Sequence, residues 1–254
     1  MSLKNVQGQG LQAQPADSPD VTAGGSLRKR LLGSRVASIT ALLVVLFLIF
    51  TFTQDNFLTY NNLMLLLINV AMLFVVAIGL TFVLLVGGFD LSIGALLGLS
   101  GFVLAFLYNG LGLPILVAML LTVAFGAVVG GGTNGFLIGR LKLSFMIVTL
   151  GTMTLFQGLI KLVSGGNTVV IPSEFLVDVF SFGKVFGIPI PVLGSVLVFL
   201  VAAYVLKFTL FGRDVYAVGG NPKAARLSGI NVSWTVIAVY AIAGGAAAFG
   251  SIIA

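Results

Sequence analysis

Few side chains in this sequence can carry acid–base or nucleophilic chemistry, and that scarcity is the first functional signal. The 254 residues contain no His and no Cys, and only 7 are Asp or Glu. Metal centres built on Cys or His, disulfides and His-dependent catalysis are therefore excluded for this sequence. The phosphate-binding pattern that ends in Gly-Lys-Ser/Thr is also missing, because Gly183-Lys184 precedes Val185. We predict no catalytic site, no metal site and no cofactor.

Asp90 is the one acid beside sequence that reaches membrane depth, where a carboxylate costs about 2.5–3.5 kcal/mol at the bilayer centre. Three interpretations stay open: Asp90 caps the helix that follows it, pairs with another span, or belongs to a proton relay. Asn69, Asn134 and Gln157 lie inside apolar segments, where they either hydrogen-bond between helices or contact a solute.

The composition around these residues indicates a membrane protein. Hydrophobic residues make up 59% of the chain and charged residues 8%, against about 45–50% and about 25% in a soluble domain. A water-soluble domain is therefore excluded. The net charge of +6 comes from bases scattered between apolar runs, a distribution that fits membrane-flanking loops better than a nucleic-acid surface.

Seven apolar segments predict membrane-spanning helices, since long segments without alternating polarity satisfy their backbone only as helices. We therefore predict an all-α, polytopic transmembrane helical bundle. A pair of half-helices around Gly87-Gly88 could imitate one of the crossings. Small residues four apart, at Gly94/Gly98, Gly126/Gly130 and Gly244/Ala248, predict close helix packing. The segments are 36–53, 63–86, 93–108, 114–138, 144–162, 190–208 and 233–254.

Basic residues predict the orientation of the bundle. Residues 1–35 are polar, end in a basic cluster, and predict a disordered tail on the cytoplasmic side. If every segment crosses, the bases at 140–142 and 207–226 also face the cytoplasm, while Glu174 and Asp178 face outward. The last segment reaches Ala254 without a polar flank, so we expect the sequence to be incomplete at this end.

The hydrophilic stretch 211–232 predicts a short helix between two spans. Asn221 suits the N-cap, Pro222 the first helical position and Gly229 a left-handed exit. So short a helix is marginal alone in water, which favours packing against its own bundle or against another protein. An ordinary basic loop remains the alternative.

Four sequence blocks resemble the permease subunits of ribose/xylose/galactose-type sugar ABC importers. The longest is Gly-Arg-x-x-Tyr-Ala-x-Gly-Gly-Asn-x-x-Ala-Ala-Arg-x-x-Gly-Ile at 212–230, and blocks at 87–94, 134–138 and 148–153 follow the same order as in that family. The resemblance covers nearly everything after residue 36. It implies a type II ABC importer permease domain over 36–254, truncated at its C-terminus, in the bacterial plasma (inner) membrane with a cytoplasmic N-terminus.

The resemblance also implies partners. Segment 211–232 would couple the permease to cytoplasmic ABC ATPase subunits, with Ala224 and Ala225 allowing close approach and Lys223 and Arg226 meeting the partner's polar rim. A second permease subunit, either another copy of this chain in a homodimer or a relative of it, would complete the membrane part. The coupling residues implied are Gly212, Arg213, Gly219, Gly220, Asn221, Pro222, Lys223, Ala224, Ala225, Arg226 and Gly229.

An extracytoplasmic sugar-binding protein is the third implied partner, and Glu174 and Asp178 could meet its basic rim. A solvated acidic loop is the simpler interpretation of that pair. We expect a permease that translocates a monosaccharide while a separate subunit hydrolyses ATP. The alternative is an ion-gradient-driven secondary transporter or channel, which predicts several ionisable groups inside the spans, whereas Asp90 stands alone.

Overall fold

The computed structural model describes residues 35–254, with side chains from residue 37 onward. The described residues are helical apart from connecting turns and one small antiparallel hairpin, which confirms the predicted all-α class. The predicted disordered tail, 1–35, lies outside the described residues except for Arg35. The chain divides into two compact units, one ending at Leu58 and the other running from Thr59 to Ala254.

The elements of each unit follow in chain order. The first unit contains α1 (Arg35–Thr53). The second contains α2 (Tyr60–Leu85), α3 (Ile93–Ala105), π1 (Phe106–Gly110), α4 (Ile115–Gly130), π2 (Gly131–Gly135), α5 (Phe136–Gly139), α6 (Phe145–Ser164), α7 (Glu174–Leu176), π3 (Val177–Ser181), β1 (Lys184–Val185), β2 (Ile188–Pro189), α8 (Ile190–Phe208), α9 (Leu210–Gly220), α10 (Pro222–Leu227) and α11 (Val232–Ile253).

Six helical stretches of the described chain are long and apolar enough to cross a membrane. They coincide within a few residues with six of the seven predicted segments. The remaining segment, 36–53, forms α1, but its described apolar part, Ala37–Thr53, is shorter than the other six. The predicted count of seven spans is therefore not confirmed. The six are Tyr60–Leu85, Ile93–Gly110, Ile115–Gly139, Phe145–Ser164, Ile190–Phe208 and Val232–Ile253.

The break at Gly87-Gly88 separates two full-length spans rather than two half-helices. The span before it has 26 residues and the span after it has 18. Gly87 adopts φ 79°, a left-handed conformation that residues with a Cβ rarely accept, and so allows the chain to turn sharply. Residues 86–92 therefore form a connecting segment at one end of the bundle.

The central helix of the second unit is α11. In its most apolar stretch 56% of the residues are buried, against 11–33% in the other five spans. Its Gly244 lies directly against α4, where a Cβ added at Gly130 would be 3.0 Å from the Gly244 Cα. The predicted close packing through small residues is present here. Gly94, by contrast, has open space where its Cβ would be.

The two ends of the second unit differ in charge. One end holds segment 86–92, the junction of α5 with α6, and helices α9 and α10. We call it the basic end, because Arg140, Lys142, Lys207, Arg213, Lys223 and Arg226 all lie there. The opposite end holds π1, α7, π3 and the β1–β2 hairpin, and we call it the hairpin end. There the Tyr60 hydroxyl donates to the Gly187 carbonyl over 3.4 Å, and the Asn109 amide donates to the Val170 carbonyl over 2.9 Å.

Candidate coupling surface and buried polar network

Two short helices, α9 and α10, connect α8 to α11 at the basic end. Each begins at a capping side chain: the Thr209 hydroxyl accepts from the Gly212 N–H at 3.1 Å, and the Asn221 Oδ1 accepts from the Lys223 and Ala224 N–H groups, both at 3.0 Å. Gly229, with φ 86°, ends the turn after α10. The short helix predicted from the local signals is present with its cap and exit, whereas α9 was not predicted.

The outer surface of α10 carries an exposed apolar side chain between cations. Leu227 is 91% exposed, and Lys223 and Arg226 are exposed beside it on the same short helix. Leu227 is the one large apolar residue in 219–229, a signal that sequence analysis passed over. The exposed members of the implied coupling set are Arg213, Gly219, Gly220, Asn221, Pro222, Lys223, Ala224, Arg226 and Gly229.

Three residues of the implied coupling set pack within their own chain. A Cβ on Gly212 would overlap the Leu206 carbonyl, and one on Gly219 would overlap the Leu85 carbonyl. Ala225 is only 4% exposed, so its side chain faces the bundle and not a partner. The close approach expected of Ala225 is thus made to its own chain, because α10 turns this face inward.

A buried chain of hydrogen bonds lies beside the basic end. Asp90, Ser92, Asn134 and Thr152 are each at most 6% exposed. The Asn134 Nδ2 donates to the Ser92 Oγ at 2.7 Å and to the Asp90 Oδ2 at 3.4 Å, while the Thr152 Oγ1 donates to the Asn134 Oδ1 at 2.7 Å. The network therefore joins segment 86–92 to π2 and α6, three elements that are distant in sequence.

Asp90 pairs with another element, which is one of its three open interpretations, whereas Ser92 and not Asp90 occupies the N-cap of α3. The Asp90 Oδ1 accepts from the Ser92 N–H at 2.8 Å and from the Ser92 Oγ at 2.6 Å, just before α3 begins, and it also bonds to Asn134 on another helix. Burial raises the pKa of the Asp90 carboxyl, and the hydrogen bonds from Ser92 and Asn134 act in the opposite direction. Within the described part of the chain no second carboxylate or basic side chain bonds to this network, which disfavours a proton relay.

The other polar residues singled out in the spans are exposed. Asn69 donates to the Leu65 carbonyl of its own helix at 2.9 Å, not to a neighbouring helix. Gln157 is exposed on α6. Of the three residues predicted to hydrogen-bond between helices or to contact a solute, Asn134 is the one that bonds to other elements of the described chain. At the hairpin end Glu174 and Asp178 are both exposed, on the helical stretch of α7 and π3, where Ser173 caps the Leu176 N–H at 3.4 Å.

Comparison with known proteins decides the family. The family described as "Branched-chain amino acid transport system / permease component" matches residues 62–254. The chain belongs to this permease family. The permease is 38% identical over 219 residues to the ribose import permease protein RbsC of Escherichia coli (strain K12), covering 85% of this chain and 67% of that protein. The resemblance read from the four sequence blocks is confirmed.

Other relatives of this permease carry the names of other sugars. The D-allose transport system permease protein AlsC of Escherichia coli (strain K12) is 34% identical over 85% of the chain and 65% of its own length. The L-arabinose ABC transporter permease protein AraH of Azospirillum brasilense is 33% identical over 82% of the chain and 60% of its own length. The permease chain thus spans about two thirds of these relatives. No match among solved structures reaches significance.

The family and the fold together define a multi-pass membrane protein that belongs to a transport system. Its relatives are named as permeases. This family therefore provides the membrane-spanning component of the transport system. Transport systems of this kind include ATPase and solute-binding components in general.

Proposed function

We propose that this chain is the membrane-spanning permease subunit of an ATP-driven ABC importer for a monosaccharide. The observation that carries the proposal is the exposed α10 surface between two spans, with Leu227 outermost and Lys223 and Arg226 beside it. A surface that combines an exposed leucine with cations suits an apolar depression with an acidic rim on another protein. We assign that partner as the ATPase subunits, and the hydrolysis of ATP to them alone.

A neutral sugar fits the interior better than an amino acid. The family description names branched-chain amino acids, while the relatives are named for ribose, allose and arabinose. Charged side chains that could hold the two ends of a zwitterion are few, because the described spans carry them only near their ends, at Lys161 and Lys207. Among the described residues the one buried carboxylate, Asp90, is already hydrogen-bonded within the chain.

We infer the orientation of the bundle from the charge of its two ends. The basic end faces the cytoplasm under the positive-inside rule, so α10 meets the ATPases there, and with α1 crossing, the N-terminus is cytoplasmic too. On this orientation the hairpin end faces outward, and we propose that the exposed Glu174 and Asp178 meet a sugar-binding protein there. A second copy of the permease completes the path across the bacterial inner membrane.

Uptake in whole cells tests the proposal. The permease, produced with its ATPase and binding protein, should import labelled ribose, allose or arabinose and lose uptake on ATP depletion. Loss of uptake with an uncoupler at constant ATP would instead support the ion-gradient alternative, and uptake of leucine without any of the three sugars would support an amino-acid importer.

The coupling surface is tested separately with Leu227→Asp. This variant should reach the membrane in normal amount, lose most uptake and fail to co-purify with the ATPase. The matched control is Leu111→Asp, which makes the same change at an exposed leucine of the hairpin end and should retain ATPase binding. Equal ATPase binding by both variants would rule out the assignment of α10.

A further inference from the structure

A recess of about 590 Å³ opens between α2, α8 and α9 at the basic end. Its inner wall is apolar and includes Ile78, Phe82, Phe199 and Leu206. Its charged side chains, Lys207 and Arg213, lie on α8 and α9 together with Tyr216. The other polar side chain of the lining, Thr81 on α2, donates to the Ala77 carbonyl of its own helix at 2.8 Å. The recess therefore combines an apolar wall with a cationic edge.

A second cavity of about 420 Å³ adjoins the first and shares Ile78, Phe82 and Ala202 with it. It continues inward toward α4 and α11, as far as Phe249, and every residue that lines it is apolar. The two cavities together provide a hydrocarbon-like space that adjoins the basic end. A sugar would find no hydrogen-bonding side chain in the inner cavity, so this space does not suit the transported solute.

The two cations lie at the level expected for lipid headgroups. Lys207 is in the last turn of the spanning helix α8, and Arg213 is in the first turn of α9, immediately beyond the span. Both side chains are exposed, and within residues 35–254 neither is paired with a carboxylate. A basic site between transmembrane helices at their cytoplasmic ends is a favourable place for an anionic lipid headgroup.

We propose that this recess binds one anionic phospholipid, with its phosphate at Lys207 and Arg213 and an acyl chain along Ile78 and Phe82 toward the inner cavity. A free phosphate or a protein carboxylate would satisfy the cations but leave the apolar wall in water. A phosphatidylcholine would fill the apolar space but bring its own positive charge to the cations. An anionic phospholipid satisfies both parts of the recess.

Lipid binding here bears on the helix that precedes α10. Arg213 lies on α9, and Asn221 alone separates α9 from α10. A headgroup held by Arg213 therefore contacts α9, the helix that sets the position of α10. The acyl chain of the same lipid contacts α2 and α8. Occupancy of the recess should favour one arrangement of α9 relative to these two spans.

Competitive lipid binding to the purified full chain tests the proposal. After delipidation in detergent, the chain is mixed with equal amounts of phosphatidylglycerol and phosphatidylcholine of the same acyl chains, and bound lipid is counted by native mass spectrometry. We expect one retained phosphatidylglycerol. Lys207→Gln with Arg213→Gln should weaken retention roughly fivefold per charge, or about twenty-five-fold together. Ala202→Trp, which fills the shared wall and keeps both charges, should also weaken it.

The matched control is Arg140→Gln with Lys142→Gln, which removes two charges from the same end but leaves this recess intact. It should retain phosphatidylglycerol, with helical circular dichroism and gel-filtration volume unchanged in all variants. Equal retention of both lipids, equal loss in the control, or displacement of the lipid by inorganic phosphate alone would overturn the proposal. Because the chain has no Cys, disulfide-linked dimers of Ala203→Cys would show that a second copy covers the recess, and would overturn it too.

Discussion

The hydroxyl of Tyr240 donates a hydrogen bond to the carbonyl of Phe89 at 3.0 Å, across 151 residues of sequence. Tyr240 is 1% exposed on the central helix α11, and Phe89 precedes the buried Asp90. This bond fixes segment 86–92 against α11, while the Asp90 network fixes the same segment against π2 and α6. The connecting segment is thus held from two sides by side chains that are themselves buried.

Removing the Tyr240 hydroxyl should leave the Phe89 carbonyl without its partner. We expect Tyr240→Phe to lower the free energy of unfolding by about 1–3 kcal/mol, because a buried acceptor that loses its donor keeps its desolvation cost. Thermal unfolding in detergent measures the loss. Tyr204→Phe, at a residue that is 61% exposed, is the control and should leave the melting temperature unchanged; equal losses would contradict the role given to this bond.

The Asp90 network predicts that the same substitution has different effects on stability at two asparagines, Asn134 and Asn69. Asn134→Leu removes the donor to Ser92 and Asp90 and the acceptor for Thr152, so we expect a loss of about 3 kcal/mol or more, since a buried carboxylate is left under-bonded. Asn69→Leu removes a bond within one exposed helical turn and should cost little. Chemical denaturation of both variants in mixed micelles checks this; similar stabilities would show that the network does not hold the helices together.

The contact between α4 and α11 predicts opposite effects for the same substitution. Gly244→Ala places a methyl against the Gly126 backbone and should destabilise the bundle by about 1–3 kcal/mol. Gly94→Ala places it in open space and should stabilise α3 by up to about 1 kcal/mol through helix propensity. The aggregation temperatures of the two variants, measured on heating, distinguish these effects. A stabilising Gly244→Ala would mean that the two helices lie further apart than described.

The orientation of the bundle is testable with two isosteric substitutions in a chain that has no Cys. Ser228 follows α10 at the basic end, Ser181 ends π3 at the hairpin end, and both are exposed. In intact spheroplasts a membrane-impermeant maleimide should label Ser181→Cys but not Ser228→Cys, and permeabilisation should expose the latter. Labelling of Ser228→Cys from outside would contradict a cytoplasmic coupling surface.

Helix α10 could be predicted from the sequence because its two ends are specified by neighbouring residues. The cap at Asn221, the proline after it and the left-handed Gly229 specify α10 within nine residues. Helix α9 was missed because Gly212, Gly219 and Gly220 lower its intrinsic propensity. Its formation depends on packing against the ends of α8 and α2, where Gly212 and Gly219 fit against backbone carbonyls.

The buried network shows the opposite case. Asn134 stood out because an amide in an apolar segment needs a partner, but nothing local distinguishes Thr152 from the other threonines of its helix, or names Tyr240 as the donor to Phe89. These pairings depend on how α3, π2, α6 and α11 assemble. The sequence alone therefore identified two members of the network, Asp90 and Asn134, and their partners became apparent only in the assembled fold.

The contact of Gly244 with Gly126 and Gly130 has a mechanical consequence. Because backbone meets backbone there, side-chain rotamer changes cannot absorb a displacement of α11, which favours movement of α11 and α4 together. Since α11 starts only five residues after the end of α10, it is the span that would carry a displacement of α10 into the membrane under the proposed coupling role.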